Sequence, residues 1–387
     1  MKKLEPKGWC PSTLRPMMSG DGLIIRIKPS FSRLASSQAQ KIAVLSKRYG
    51  NGFMDITNRG NLQIRGLTQD SYPLVLEELQ NGNITKKNKS QDELNLILAP
   101  FITRQSQGWQ CAKTLYNIAS TFPYLPAKFG FAIDCGIERY LCQASADIRI
   151  ETNNSGKLLI RFDGCDQGFI TSEETFAIDI LRALKWFVVS QNNSHTYKRM
   201  HQLVSNVEVP FTFRNTAPCQ KVKSLTPGLQ DDKIVFAAPF SQITTDQMME
   251  IAGQTQEIIF TINRCLIVDK TVKLSAKFIT SKDDFRYNIT ACPGMPGCSA
   301  SSIDTKGLAL KISRHHACLA DQSYHISGCS KGCSTPKKSD VCIVGENGSH
   351  NLLQNGYAWD IPSFISLSEA ALINELINLQ KTKKNAL

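Results

Sequence analysis

The segments Cys292-Pro293-Gly294-Met295-Pro296-Gly297-Cys298 and Cys329-Ser330-Lys331-Gly332-Cys333 carry the pattern that decides how this sequence is interpreted. The pattern is C-x5-C, then about thirty residues, then C-x3-C. Four closely grouped thiolates are the ligands that a [4Fe–4S] cluster requires. Each pair lies in a turn rich in glycine, which lets the backbone approach a cofactor closely. The sequence therefore predicts that Cys292, Cys298, Cys329 and Cys333 bind a [4Fe–4S] cluster.

Zinc ligation and disulfide bonding are two other interpretations of these cysteines. Structural zinc sites favour spacings from C-x2-C to C-x4-C, and the first pair falls outside that range. Disulfides need an oxidising compartment. The first six residues lack the apolar core of a secretory signal, so we expect a cytoplasmic location and reduced thiols. Zinc stays open as the alternative to the cluster.

The composition limits the class of protein. The chain has 387 residues, of which 42% are hydrophobic, and it contains no apolar run long enough to span a membrane. This length predicts two domains or a duplicated unit. The net charge is +12, but the lysines and arginines do not cluster as they usually do in a nucleic-acid-binding module. Basic residues gathered in a cleft would equally suit a polycarboxylate substrate. Because the charges are not clustered and no long apolar run is present, we expect neither a nucleic-acid nor a membrane partner.

An alternating pattern of strands and helices occurs twice in the chain. Residues 20–80 predict the order β-α-β-β-α, and residues 230–285 predict the same order, with a weaker helix over 272–279. The following regions also correspond, since 128–136 parallels 324–329 and 146–150 parallels 339–343. We therefore expect a duplicated α+β fold with a cleft between pseudo-symmetric halves, of which only the second carries the metal-type cysteines.

Several phrases carry a resemblance to a known superfamily. They are Trp9-Cys10-Pro11-Ser12, Arg15-Pro16-Met17, Ser19-Gly20-Asp21-Gly22-Leu23-Ile24, Thr57-Asn58-Arg59-Gly60-Asn61-Leu62-Gln63-Ile64-Arg65-Gly66, Leu125-Pro126-Ala127-Lys128-Phe129 and His325-Ile326-Ser327-Gly328-Cys329-Ser330-Lys331-Gly332-Cys333. With the cysteine spacing, they resemble the sulfite and nitrite reductase superfamily, and within it the precorrin-3B synthase family. The resemblance extends from about residue 8 to about residue 360.

The resemblance implies a fold of two halves, each with a ferredoxin-like half-domain and a hemoprotein-like α/β domain. The expected units are a first ferredoxin-like half-domain at 10–80, a first α/β domain at 90–215, a second half-domain at 225–285 and a [4Fe–4S]-binding α/β domain at 286–380. The duplicated nitrite/sulfite reductase-like halves would have pseudo-two-fold symmetry.

The resemblance also implies an activity. Members of the synthase family are O2-dependent monooxygenases that convert precorrin-3A to precorrin-3B, by C20 hydroxylation and γ-lactone formation, in aerobic cobalamin biosynthesis. The implied cofactors are the [4Fe–4S] cluster and a mononuclear non-haem iron. The implied partners are the tetrapyrrole substrate, O2 and an electron donor whose identity the sequence does not give.

Four basic residues are implied to face the tetrapyrrole. They are Arg26, Arg59, Arg65 and Lys128, at positions where the reductases hold sirohaem and the anion. Guanidinium groups match carboxylates with two hydrogen bonds at a time, which suits a macrocycle with many acid side chains. Any one of these residues could equally be an exposed cation on a strand or loop.

Histidine is a common ligand of non-haem iron, and the chain has six. His325 lies four residues before Cys329 and is the candidate catalytic residue, with His315 and His316 next. A surface histidine, or one that is hydrogen-bonded in the core, is the ordinary alternative for each of them.

The chain departs from the reductase pattern in two places. Reductases have an arginine before the asparagine of an Arg-Asn-Val phrase, where this chain has Leu94 before Asn95, and a second lysine where this chain has Gly130. Each lost charge-assisted bond is worth about 1.5–3 kcal/mol. These differences argue against six-electron reduction of sulfite or nitrite. A sirohaem-dependent sulfite or nitrite reductase, with Cys333 bridging to the sirohaem iron, stays as the alternative, and a nucleic-acid-binding protein with a structural metal site is a third interpretation.

Overall fold

The protein is described by a computed structural model over residues 10–86, 88–191, 196–315, 322–335 and 337–384. Across these residues the chain forms four five-stranded sheets with helices packed against them. No helix in the described part of the chain is both long and apolar enough to cross a membrane. The expected α+β class is confirmed.

The first sheet, sheet I, is antiparallel throughout. Its strands are β1 (Met17–Ser19), β2 (Gly22–Ile27), β4 (Phe53–Ile56), β5 (Leu62–Leu67) and β13 (Gln242–Thr244). Their spatial order is β1-β2-β5-β4-β13. Helices α1 (Ser36–Tyr49) and α2 (Ser71–Asn81) connect and cover these strands. The strands and helices expected over residues 20–80 are therefore present.

A second antiparallel sheet, sheet III, repeats this arrangement. Its strands are β3 (Arg33–Ala35), β11 (Gly228–Gln230), β12 (Lys233–Ala237), β14 (Glu257–Phe260) and β15 (Cys265–Asp269). Their order is β11-β12-β15-β14-β3, which matches sheet I strand for strand. Helix α7 (Thr245–Ala252) is capped at its N-terminus by Thr244, whose hydroxyl accepts a hydrogen bond from the backbone N–H of Gln247.

Each of these two sheets takes its edge strand from the other half of the chain. Strand β13 pairs with β4, and β3 pairs with β14. The same local turn precedes both exchanged strands, because Phe31 and Phe240 adopt left-handed φ angles of 54° and 55°. The helices and strands of both sheets bury their apolar side chains in one shared core. The two ferredoxin-like units are consequently one packed body.

Sheets II and IV form the second pair. Sheet II contains β6 (Leu96–Leu98), β7 (Phe131–Asp134), β8 (Ile148–Thr152), β9 (Leu158–Phe162) and β10 (Phe169–Ile170). Sheet IV contains β16 (Ile289–Ala291), β17 (Tyr324–Ser327), β18 (Ser339–Glu346), β19 (Ser349–Gly356) and β20 (Phe364–Leu367). In each sheet the first three strands are parallel and the last two are antiparallel additions. The correspondence expected between 128–136 and 324–329 is therefore seen in the strand order.

The remaining helices pack against sheets II and IV. They are α3 (Lys89–Glu93), α4 (Gln107–Ile118), α5 (Phe176–Val189), α6 (Met200–Val204), α8 (Thr305–Ser313) and α9 (Glu369–Lys384). Helices α4 and α5 share one apolar core with sheet II. Helices α8 and α9 share another with sheet IV.

The weak helix expected over residues 272–279 is absent, and that prediction is wrong. The backbone N–H groups of Lys273 and Ser275 donate instead to the side chains of Gln254 and Glu250, at 2.9 and 3.1 Å. Ile279 then pairs with Ala237 at the end of β12. These tertiary bonds hold the segment against α7 and sheet III in an irregular conformation with turns.

We propose that the chain consists of four units, at 10–80, 90–215, 225–285 and 286–380, and that the first and the third each contribute an edge strand to the sheet of the other.

The exchanged strand β3 predicts an effect on stability. Leu34, in β3, is 1% exposed and lies in the core shared by the two halves. Leu34→Ala should lower the free energy of unfolding by about 2–5 kcal/mol, because truncation of a buried leucine leaves a cavity.

Urea unfolding measures this effect. Leu229→Ala is the matched control, because Leu229 is 67% exposed in strand β11. Equal stability losses in the two variants would contradict the exchanged-strand core.

Candidate functional site

The two cysteine segments leave the same edge of sheet IV. Strand β16 ends at Ala291 and Cys292 follows it, while β17 ends at Ser327, two residues before Cys329. The strands are parallel neighbours, so their carboxyl ends lie side by side. The fold thus brings two segments together that are about thirty residues apart in the chain.

Hydrogen bonds from backbone and hydroxyl groups around the cysteines hold the loops in place. The N–H of Gly328 donates to the sulfur of Cys292 at 3.1 Å. The Thr305 hydroxyl donates to the Cys292 carbonyl at 2.6 Å, and the Ser327 hydroxyl donates to the Cys329 carbonyl at 2.7 Å. Gly332 has a φ of 61°, and a β-carbon there would lie 3.0 Å from the ring of Trp359. Only glycine fits this turn without displacing the indole.

The thiols of the two loops influence one another. Burial raises the pKa of Cys333, and the neighbouring sulfurs of Cys329, Cys292 and Cys298 raise it further. Burial is also the main reason why the pKa of Cys292 is raised. Within the described residues, no group of three His, Cys, Asp or Glu side chains lies close enough to hold a single metal ion. Four thiols at one sheet edge, with an N–H directed at a sulfur, fit a [4Fe–4S] cluster, which takes one cysteine at each iron.

Arg65 ties the first cysteine loop to sheet I. Its side chain is 3% exposed, and its Nε and Nη2 donate to the two carboxylate oxygens of Asp21, both at 2.9 Å. Nη2 also donates to the hydroxyl of Ser19 at 3.1 Å and to the carbonyl of Gly297, inside the Cys292–Cys298 segment. Arg65 is therefore engaged with protein groups beside the cysteines. Its assignment to the tetrapyrrole stays a prediction.

Three other cations gather at the end of β2 and the turn after β4. Arg26 lies on β2, Lys28 follows that strand, and Arg59 lies between β4 and β5. Arg59 donates to the carbonyls of Ser145 and, at 3.5 Å, of Asn95. With the Gln63 amide oxygen turned towards it, Arg26 donates from Nε and Nη2 at 3.2 and 2.9 Å.

No carboxylate lies within ion-pair distance of Arg26, Lys28 or Arg59 in the described chain. Burial lowers the pKa of Arg59 to about 10, with Arg199 and Arg26 contributing. Burial also lowers the pKa of Lys28 to about 8, and Arg26 and Arg59 add to this shift against the attraction of Asp92. This group of half-buried positive charges will favour a negatively charged ligand.

A pair of turns connects these cations to the second cysteine loop. Arg59 forms an antiparallel bridge with Ile262. Two residues later, Arg264 donates from Nη2 to the carbonyl of Ser334 at 2.7 Å, next to Cys333. Burial lowers the pKa of Arg264 as well. The cations and the cysteines therefore flank one region between the two halves of the molecule.

Sequence reasoning missed Lys28 and Arg264. A signal for each was present, since Lys28 lies two residues after Arg26, and the Asn263-Arg264 pair repeats Asn58-Arg59 in the second copy. The alternation of side chains along a strand and the internal repeat could have identified both.

Lys128 is exposed, whereas Arg26, Lys28 and Arg59 are half-buried, and no hydrogen bond joins it to them among the described residues. It lies in the segment between Ala127 and Phe129, both of which line a cavity of about 430 Å³. Lys28 and Asn95 line the same cavity. Lys128 therefore stands at the rim of the region that contains Lys28. Its contact with a tetrapyrrole stays a prediction.

Gly130 explains one departure from the reductase pattern. A β-carbon at this position would lie 2.9 Å from the carbonyl oxygen of Asn95 and 3.0 Å from Nη2 of Arg59. The absent side chain leaves the space in which the Arg59 guanidinium lies. A lysine at this position would require Arg59 to move.

His325 lies on β17 and is 1% exposed. Its Nδ1 is 3.6 Å from the sulfur of Cys342, while its Nε2 has no partner among the described residues. Burial, with Arg264 second, lowers the pKa of His325 to about 4, so the imidazole is neutral near pH 7. His315 follows α8, and His316 lies outside the described residues.

The described residues provide no ligand set for the mononuclear iron that the resemblance implies, because no three candidate ligands converge on one point among them. His325 therefore has no companion ligands among them. The catalytic role of His325 stays a prediction.

Comparison with known proteins agrees with this architecture. Residues 15–82 match the nitrite/sulfite reductase ferredoxin-like half domain. The chain is 26% identical to a precorrin-3B synthase from Sinorhizobium sp, over 92% of this chain and 84% of the relative. It is 23% identical to a ferredoxin--nitrite reductase from Synechococcus elongatus, over 87% of this chain and 78% of that protein. The solved structure of the Mycobacterium tuberculosis NirA protein aligns with a TM-score of 0.67 at 13% identity, covering 93% of this chain and 80% of NirA. The chain thus has the nitrite/sulfite reductase fold.

The Arg65 contacts predict an effect on the cysteine loop. Arg65→Met should reduce the bound iron and acid-labile sulfide and lower the free energy of unfolding by about 3–5 kcal/mol, because it leaves the buried Asp21 carboxylate unpaired. Metal analysis and urea unfolding measure the two effects. Arg48→Met is the control, since Arg48 is exposed on α1. Normal metal content in Arg65→Met would show that the loop does not depend on this arginine.

Proposed function

We propose that the chain is a precorrin-3B synthase, an O2-dependent monooxygenase that converts precorrin-3A to precorrin-3B by C20 hydroxylation and γ-lactone formation in aerobic cobalamin biosynthesis. The observation that carries the proposal is the group Arg26, Lys28 and Arg59, three half-buried cations that have no carboxylate within ion-pair distance in the described chain. The similarity to a precorrin-3B synthase over 92% of the chain supports it.

The cations suit the substrate class. A precorrin carries several acetate and propionate side chains, and a charge-assisted hydrogen bond to each contributes about 1.5–3 kcal/mol. Carboxylates that enter this region would meet the partly desolvated guanidinium of Arg59 beside Arg26, in the positive field to which Lys28 also contributes. Arg26 and Arg59 would bind these acid groups, with Lys128 at the rim. A ligand that supplies negative charge would restore the lowered pKa values of Lys28 and Arg59.

The cysteines would hold the [4Fe–4S] cluster through Cys292, Cys298, Cys329 and Cys333. A bound cluster supplies single electrons for the reduction of O2. Groups of this chain would position the cysteine ligands, since Gly328 donates to the Cys292 sulfur and Arg65 donates to the Gly297 carbonyl in the same loop. The electron donor would be a small redox protein, as the name of the ferredoxin--nitrite reductase indicates for that relative. We propose a cytoplasmic location, where the thiols stay reduced.

A second candidate function is a sirohaem-dependent sulfite or nitrite reductase, with Cys333 bridging to the sirohaem iron. The nitrite reductase relatives and the shared fold favour it. The Gly130 geometry disfavours it, because Arg59 occupies the space that a second lysine would need. The third interpretation, a nucleic-acid-binding protein, would require salt-sensitive binding to random DNA.

The deciding experiment is anaerobic purification followed by absorption spectroscopy and extraction of pigment into acidic acetone. An iron–sulfur spectrum without an extractable macrocycle, followed by conversion of precorrin-3A to precorrin-3B only with O2, supports the synthase. Extractable sirohaem with sulfite or nitrite reduction would establish the reductase in its place.

The cysteine assignment makes a direct prediction. Cys329→Ala and Cys333→Ala should each lose the cluster, because a [4Fe–4S] cluster needs its four thiolates and the chain offers no other cysteine at this spacing. Iron and sulfide analysis and electron paramagnetic resonance measure the loss. Cys219→Ala, a buried cysteine distant in sequence, is the control. Full iron and sulfide in the Cys329 or Cys333 variants would refute the assignment.

The assignment of Arg59 to the tetrapyrrole site makes another prediction. Arg59→Ala should weaken tetrapyrrole binding about 10- to 100-fold, the equivalent of one charge-assisted pair, and leave the cluster spectrum unchanged. Anaerobic titration with precorrin-3A measures the affinity. Arg48→Ala, on the exposed face of α1, controls for the loss of one positive charge. Wild-type affinity in Arg59→Ala would remove this residue from the site.

A further inference from the structure

Asn95 is the point at which three parts of the cation site meet. Its Nδ2 donates to the carbonyls of Ala127 and Phe129, at 3.1 and 3.0 Å, which are the two residues that flank Lys128. Its own carbonyl accepts the N–H of Phe131 at 2.8 Å and Nη2 of Arg59 at 3.5 Å. The position of Asn95 therefore influences both Lys128 and Arg59.

Lys28 determines which way the Asn95 amide is turned. Its ammonium group donates to Oδ1 of Asn95 at 3.1 Å and to the carbonyls of Glu93 and Leu94, at 3.1 and 3.4 Å. All three of its protons are thus used on the segment that ends at Asn95. Because Lys28 binds Oδ1, the two protons of Nδ2 are left for Ala127 and Phe129. The reversed amide would direct Oδ1 at two carbonyl oxygens.

The other side of Arg59 is fixed by a second chain of contacts. The N–H of Gly130 donates to Asp147 at 2.9 Å, and Asp147 pairs with Arg199 at 2.9 Å. Arg199 donates to the Ser145 hydroxyl at 2.8 Å, and the Ser145 carbonyl accepts a proton from Arg59. Arg59 is therefore held between Asn95 and Ser145. Of these two supports, only Asn95 depends on Lys28.

We propose that Lys28 is a positioning residue of the tetrapyrrole site, which acts through Asn95 to place Arg59 and the Lys128 segment for carboxylate binding. This inference rests on the proposed function, because it names how the same site is assembled. Lys28 itself does not bind the substrate, since its three donors are occupied. A neutral side chain at this position would release the Asn95 amide and the carbonyls of Glu93 and Leu94, and so loosen the segment whose end supports Arg59 and the residues beside Lys128.

Titration gives a signature that a purely structural role lacks. With a pKa lowered to about 8, Lys28 loses a proton within the range in which the protein can be handled. The charged groups that face it are Asp92, Arg26, Arg59 and Cys10. The neutral amine has one donor fewer, so carboxylate binding should weaken as the pH rises through about 8. An arginine in this position stays charged and would remove that dependence.

The experiment uses the holoenzyme, kept anaerobic, and uroporphyrin I as an octacarboxylate probe whose binding needs no turnover. Binding is followed by porphyrin absorption between about pH 7 and about pH 9 for wild type, Lys28→Met, Lys28→Arg and Cys10→Ser. Lys157→Met is the charge-matched control, because Lys157 is exposed at the turn between β8 and β9.

We expect Lys28→Met to bind about tenfold more weakly than wild type, without an inflection near pH 8. Lys28→Arg should bind near wild-type strength at all pH values, and Cys10→Ser should keep the inflection. Lys28→Met should weaken binding far less in an Arg59→Ala background, because residues that act through one another are not additive. Asn95→Ser is the second variant, should Lys28→Met fail to fold, and it should reproduce the weakened binding.

The outcomes separate two kinds of failure. If wild type binds neither uroporphyrin I nor precorrin-3A, the proposed function fails. If wild type binds but Lys28→Met binds equally well, or if its effect adds fully to that of Arg59→Ala, the positioning role is overturned while the function stands. An inflection that persists in Lys28→Arg and vanishes in Cys10→Ser would assign the titration to Cys10 and likewise overturn the role of Lys28.

Discussion

The exchange of edge strands between sheets I and III is the constraint on which the rest of the structure depends. Each sheet is completed by a strand from the other half, and both bury their side chains in one core. The turns after β4 and after β14 are thereby brought together, so that Arg59 bridges to Ile262. A small displacement of one half would separate the cations from the loop that carries Cys329 and Cys333. The rigidity of this shared core is what allows one site to be built from two halves of the chain.

The duplicated architecture has diverged where the chemistry is located. The strand registers place Ala99, after β6, in the position that Cys292 has after β16. The edge of sheet II that corresponds to the cysteine loops contains a cavity of about 660 Å³, lined by residues that include Ala99, Asp134 and Cys135. The first half contributes cations to the shared site and the second half contributes thiols. The two sheet edges thus correspond in the fold, and their loops carry different residues.

The parts of the structure that depend on local pattern could be predicted from the sequence. Helix α1, the strands around Arg59 and the repeat of the whole unit follow from hydrophobic spacing and turn residues, within a residue or two at the boundaries. The partners of individual side chains could not be predicted, because they come from distant segments. Arg65 binds Asp21 and Gly297, which are 44 and 232 residues away in the chain. The helix predicted over 272–279 was wrong for the same reason, since backbone N–H groups of this segment donate to the side chains of Glu250 in α7 and of Gln254 just after it.

The lack of a paired carboxylate distinguishes the half-buried cations of the site from those of the scaffold. Arg149 and Arg161 are also largely buried, but each pairs with a carboxylate, Asp163 or Glu151. Arg59 instead donates to carbonyls, which satisfy its hydrogen bonds without neutralising its charge. Desolvated charge of this kind costs stability unless a ligand compensates it. At Arg59, the absence of a side chain on Gly130 leaves the space that the guanidinium group occupies. Gly130, the two carbonyl partners of Arg59 and the lowered pKa of Arg59 therefore belong to one arrangement. In it, an anionic ligand would supply the negative charge that the site lacks.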